Sequence, residues 1–151
     1  MQLLEESEYL RELDLSWSKL SLMQWRKFMH VIKDNRQLVN LNISYNKILE
    51  LQPDPTDPEP LSNDSWQLTP KNQDTLNCLK TFIKYNLHLV SLNLDNTGMS
   101  SQAIAYVIGL LRRSQALRCL HLSANEGITP ELSEWARQRI RAKDKVEFNV
   151  I

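Results

Sequence analysis

The chain has 151 residues, and its 18 lysines and arginines balance 18 aspartates and glutamates, so no global charge draws it to nucleic acid or an anionic membrane. At 42% hydrophobic content, a single domain of this length can bury a continuous core. No apolar run reaches the ~18 residues a membrane helix needs, and the opening MQLLEESEYL carries acids where a secretory signal carries bases, which predicts an intracellular, cytoplasmic protein without membrane insertion.

In chain order, residues 1–9 read as the end of a helix or as a cap. Leu10, Leu13, Leu15 and Leu20 then set a pattern L-x-x-L-x-L, followed by a turn and one more leucine. After it the apolar spacing changes to helical steps of three and four at Leu22, Trp25, Phe28, Met29 and Ile32, and Asp34-Asn35 closes the segment. The strand pattern returns at LVNLNISYNKI, residues 38–48, where it is most complete, with Leu38, Leu41, Ile43, Asn46 and Ile48 in place.

Residues 52–70 break the rhythm. They hold five of the six prolines in the chain and neither lysine nor arginine. Proline at this density removes amide donors and fixes φ, which excludes an interior strand or a regular helix. The segment is an insertion in the second repeat, acidic through Asp54, Asp57, Glu59 and Asp64, with Trp66 and Leu68 as the side chains that would pin it.

Helical spacing resumes at Leu76, Leu79, Phe82 and Ile83, and a third strand pattern follows at Leu89, Leu92, Leu94 and Met99. Ser100-Ser101 is placed to cap a helix through Ile104, Val107, Ile108 and Leu111. Leu117, Leu120, Leu122 and Asn125 make the fourth strand unit, and Thr129-Pro130-Glu131 opens a helix through Leu132, Trp135, Ala136 and Ile140. That helix and its exit carry Arg137, Arg139, Arg141, Lys143 and Lys145, either a basic patch for an acidic partner or an ordinary solvated face. VEFNVI at the end places Phe148 and Val150 in register as a partial fifth strand.

Spacing fixes the class. Leu10 to Leu38 and Leu89 to Leu117 are each 28 residues, whereas Leu38 to Leu89 is 51, the excess being the insertion. A 28-residue unit of short strand plus long helix resembles the ribonuclease-inhibitor-like subfamily of leucine-rich repeat proteins. The resemblance covers nearly everything outside residues 52–70 and implies an α/β solenoid of about four repeats plus a partial fifth strand. Its curved parallel sheet lies on the concave side and its helices on the convex side. Ser18 and Thr97 depart from the pattern where Asn46 and Asn125 keep the usual asparagine, so a slightly weakened asparagine ladder is expected.

Alternation along each strand selects the outward residues. They are Arg11, Glu12, Asp14, Ser16 and Trp17; Val39, Asn40, Asn42, Ser44 and Tyr45; Ser91, Asn93, Asp95 and Asn96; and Arg118, Cys119, His121, Ser123 and Ala124. The subfamily holds its partners on this face, so Trp17, Tyr45, Asp14, Asn40, Asn42, Asn93, Asp95 and His121 are the candidate partner-binding residues. Trp17 and Tyr45 share one motif position and would stand about 4.8 Å apart, one strand spacing. Either they anchor a partner, or they cover their own turn or stack under the insertion.

Catalytic signatures for phosphate binding, zinc hydrolysis, thiol redox chemistry or serine hydrolysis are absent from the sequence. Cys119 and His121 share a face, as a nucleophile pair would, but an open sheet offers no oxyanion pocket. Two cysteines far apart in sequence predict reduced thiols and no metal site. The expectation is a non-enzymatic module without cofactor or small-molecule substrate, binding other protein subunits as a scaffold or structural component of a larger assembly, with a cytoskeletal or ciliary setting implied by resemblance alone. The alternative is a regulator of a small GTPase, since some proteins of this repeat class activate Ran.

Overall fold

The computed structural model describes residues 9–33, 35–49, 70–111, 114–141 and 147–149. Among them strand and helix alternate: β1 (Glu12–Asp14), α1 (Leu22–Ile32), β2 (Asn40–Asn42), α2 (Pro70–Tyr85), β3 (Ser91–Asn93), α3 (Ser101–Leu111), β4 (Cys119–His121), α4 (Pro130–Arg141) and β5 (Glu147–Asn149). The strands form one parallel sheet in the order β1-β2-β3-β4-β5, so each strand pairs only with its sequence neighbours.

Register follows the repeat. Leu13, Leu41, Leu92, Leu120 and Phe148 stand in one row, as the 28-residue period and the 51-residue exception require. Strands of three residues suffice because each unit then turns and sends a helix back over the inner face of the sheet. The inward leucines and isoleucines meet the helices there: Leu41, Ile43, Leu92, Leu94, Met99, Leu120 and Leu122 are each at most 2% exposed. From the other layer come Trp25, Met29, Leu79, Phe82, Ile104 and Val107, as the helical spacing predicts, and full burial of each such side chain stabilises by roughly 1.5–3 kcal/mol. Helices occupy more width than strands, which leaves the sheet on the concave side of the solenoid.

Local capping explains where the helices start. Ser21 accepts from the Gln24 amide while Gln24 Oε1 accepts from the Ser21 amide, a reciprocal box that opens α1. Ser100 Oγ takes the Ala103 amide at α3, and Thr129 Oγ1 takes the Leu132 amide at α4, with Pro130 at the first helical position. Pro70 plays the same part in α2, so the last residue assigned to the insertion is the first of a helix. The remainder of the insertion, including Trp66 and Leu68, lies outside the described residues, as does most of the predicted segment 1–9.

Two expectations need correction. Leu10, Leu13, Leu15 and Leu20 are only partly buried, because among the described residues no further unit stacks on the outer side of β1. Trp135 is 37% exposed although it fits the apolar spacing of α4, while Ala136 beside it is buried. The asparagine ladder, expected to be slightly weakened, is kept by Asn46 and Asn125. Asn46 Nδ2 donates to Leu15 O, Ile43 O and Ser44 O, and Asn125 Nδ2 donates to Leu94 O and Leu122 O, each serving its own turn and the one before it. Where Thr97 replaces asparagine, its hydroxyl bonds within its own turn to Leu94 O, and backbone closes the gap as the Ile48 amide donates to Thr97 O.

Candidate functional site

The outward side chains of β1 to β4 form a polar face in which side-chain amides fix carboxylates across strands. Asn40 Nδ2 donates to Glu12 Oε1 at 2.8 Å, and one step along the strands Asn42 Nδ2 donates to Asp14 Oδ2 at 3.0 Å. The same row closes the turns: Asp14, Asn42 and Asn93 each accept, through Oδ1, the amide two residues onward at 2.7, 3.1 and 2.8 Å. The Ser16 hydroxyl and then the Ser16 amide hold the Asp14 carboxyl below its ordinary value of 3.8. It therefore stays ionised at neutral pH.

These contacts line a shallow concave cavity of about 380 Å³, which gathers Asp14, Asn40, Asn42, Asn93 and His121 from the sequence candidates and adds Glu12 and Ser91. Asp95 lies outside this lining and accepts the Ser123 amide at 2.6 Å. Ser44, at an outward position, is nevertheless buried, its hydroxyl bonded to Asn42 Oδ1 on the same face at 2.8 Å.

Trp17 and Tyr45 form the rim where the strands end. Their rings stack with centroids 4.2 Å apart and planes within 10°, yet Trp17 remains 68% and Tyr45 40% exposed. The Trp17 amide donates to Ser44 O and the Tyr45 amide to Asp95 O, which sets the two rings one strand apart as the shared motif position predicts. Both residues have positive φ, 59° and 57°, as do Asn96 and Ala124 in the same row. Bulky side chains in this left-handed region are uncommon and cost the backbone energy, so the repeat geometry and not residue preference sets the turn.

Cys119 Sγ lies 3.1 Å from His121 Nε2 on the same face, and both described cysteines are free thiols. Arg137 pairs with Glu134 of its own helix at 3.9 Å; Arg139 and Arg141 are in the last turn of α4, with their side chains outside the described part. Among the described residues no cluster of three His, Cys, Asp or Glu is arranged to hold a metal, and no helix is long and apolar enough to cross a membrane.

One constellation was missed in the sequence. Asn35, Asn86 and Ser114 each precede the opening leucine of a repeat by three residues, and each side-chain oxygen accepts the amide of that leucine. Asn86 Nδ2 also donates to Asn35 O, so this edge has its own ladder. The signal was a polar residue at a constant offset of three before Leu38, Leu89 and Leu117.

No protein family model matches the sequence, and no curated protein matches it. Solved structures do share the fold. The actin-binding site 2 domain of leiomodin-1 superposes with a TM-score of 0.67 at 12% identity, over 91% of this chain and 67% of that one. The tropomodulin C-terminal domain of Caenorhabditis elegans gives 0.72 at 11% identity, over 99% of this chain and 78% of that one. The chain is a leucine-rich repeat solenoid. At these identities the likeness is one of fold.

Proposed function

We propose that this domain is a protein-interaction module whose partner docks on the concave face around Trp17 and Tyr45. The observation that carries the reading is the exposed aromatic stack, because tryptophan and tyrosine dominate interface energetics and a soluble surface gains nothing from presenting them to water. The 28-residue register supports placing the chain with the ribonuclease-inhibitor-like repeats. The proposed module acts without catalysis, with Cys119 and His121, 3.1 Å apart on the shallow concave face, contributing surface to the docking site. No observation at the site favours the GTPase-regulator alternative.

In this reading the domain is a structural subunit of an intracellular assembly, and a cytoskeletal setting draws support from the actin-binding domain of leiomodin-1 built on the same fold. Co-purification from the cells of origin, with mass spectrometry, compares the native chain with a Trp17→Ala/Tyr45→Ala variant, and sedimentation with filamentous actin forms a second arm. The expected result is a stoichiometric protein partner lost in the double variant while the variant stays folded. A partner retained at full occupancy by that variant would falsify the docking position, and a chain that co-purifies with nothing would remove the module reading.

A further inference from the structure

We infer that the Trp17–Tyr45 stack is a receptor for an arginine side chain of the partner protein, an inference that rests on the concave-face reading above. Carboxylates stand near the stack in sequence and strand register. Asp14 closes the turn that carries Trp17, by accepting the Ser16 amide. Asp95 is the strand neighbour of Tyr45, whose amide donates to Asp95 O. Farther along the face Glu12 is held by Asn40.

Among the described residues, the outward positions within β1 to β4 and in the residues leading into their turns carry Glu12, Asp14 and Asp95, while the outward Arg11 and Arg118 stand just before β1 and β4. The positive groups nearest this face in sequence lie at its margins. Arg11 and Arg118 precede the strands, and exposed Lys19 and Lys47 follow the aromatic positions in their turns. The middle of the face is thus negative, with an electron-rich aromatic surface at one end.

That combination selects a cation with a flat face. A guanidinium lies against an indole or phenol ring through its π face and turns its N–H fork to a carboxylate, two interactions that reinforce each other where water is partly excluded. An ammonium makes the first as a point charge and lacks the planar fork. Asp95 is already held at Oδ1 by the Ser123 amide, and Asp14 at both oxygens, Oδ1 by the Ser16 amide and Oδ2 by Asn42, so little freedom is lost when a cation arrives. An acidic segment, drawn by Lys19 and Lys47, meets three carboxylates and is rejected.

The test uses the full 151-residue chain and fluorescence polarisation with four labelled peptides, identical except for a central arginine, citrulline, lysine or glutamate. Citrulline keeps the shape of arginine and removes its charge. The arginine peptide is expected to bind about tenfold tighter than the citrulline peptide, with lysine between them and glutamate weakest. Asp95→Asn, which retains the Oδ1 acceptor for Ser123, should bring the arginine peptide close to the citrulline level without shifting the melting curve. Asp14→Asn should act in the same direction.

Equal binding of arginine and citrulline, preference for glutamate, or no binding by any peptide overturns the arginine receptor. Those outcomes leave the module reading to be judged by partner loss in the Trp17→Ala/Tyr45→Ala variant. Conversely, a partner that survives that variant removes the docking position even if peptides bind.

Discussion

Replacing Gly127 by alanine should destabilise the protein, while the same replacement at Gly109 should stabilise it. A Cβ at Gly127 would stand 2.7 Å from Ser100 Cα and inside contact distance of Ser100 C and Ser101 N, all backbone atoms at the start of α3. Backbone cannot swing aside as a side chain does, so the two turns must part at an overpacking cost of about 1–3 kcal/mol. Parting them also strains two hydrogen bonds, from the Gly127 amide to Met99 O at 3.0 Å and from Ser101 Oγ to Gly127 O at 2.9 Å. At roughly 0.5–1.5 kcal/mol for each bond if fully broken, and about half of that when strained, the total loss comes to about 3 kcal/mol. For a chain of this size that lowers the melting temperature by roughly 6–12 °C. Gly109 sits inside α3, and a Cβ there meets nothing within 4 Å, so alanine removes only the entropic penalty of glycine and gains about 0.5–1 kcal/mol. Urea unfolding of both variants gives the two free energies on one scale. If Gly127→Ala proves as stable as the native chain, the close approach between the fourth turn and α3 is wrong.

Asn125→Ala removes the side-chain donor to Leu122 O, one of the two side-chain donors to Leu94 O, and the acceptor of the Thr97 and Met99 amides in a buried turn, and should cost about 3 kcal/mol in urea unfolding; a loss below about 1 kcal/mol would contradict the pairing of the ladder. Lys19 occupies, at φ 52°, the repeat position where Gly98 sits at φ 76°, so Lys19→Gly should raise stability by about 1 kcal/mol, and a lower melting temperature would count against the left-handed turn. Asp14 should titrate below 3.8 when followed by carboxyl carbon NMR, and Ser16→Ala should move it back toward 3.8. Because the folded value is depressed, its stabilising contribution is present above pH 3.8 and is lost as pH falls through that lower value; an unshifted titration would mean that the Asp14–Ser16 contact does not persist in solution.

The inward half of each repeat was legible because it obeys one rule. Leucine at fixed spacing must reach the core, so Leu41, Leu92 and Leu120 could be placed from the period alone and stand in one row of the sheet. The aromatic stack was legible in part: shared motif position set Trp17 beside Tyr45, but nothing in the residues told that the rings would lie within 10° of parallel. The burial of Ser44 was not legible because alternation describes strands, and β2 ends at Asn42, whose side chain draws the Ser44 hydroxyl against it. The close approach at Gly127 arises between residues 26 apart, where a local pattern carries no information. Asn35, Asn86 and Ser114 were readable in principle, yet a polar residue in a loop looks like many others until its offset from three separate leucines is compared.

The addition of strands in chain order has a consequence for how such a protein can change length. Every strand meets only the one before and the one after, so the unit from Leu89 to the residue before Leu117 brings both of its own interfaces with it. Duplicating that unit in tandem would lengthen the sheet without asking any distant residue to adapt. The aromatic pair belongs to the first two repeats, and Asp95 beside Tyr45 lies in the original copy of that unit, so a second copy placed after it leaves the pair and this neighbour together. Length and recognition are therefore separable in this architecture: a lineage could extend the scaffold by gene duplication, repeat by repeat, while the surface that chooses a partner stayed as it is.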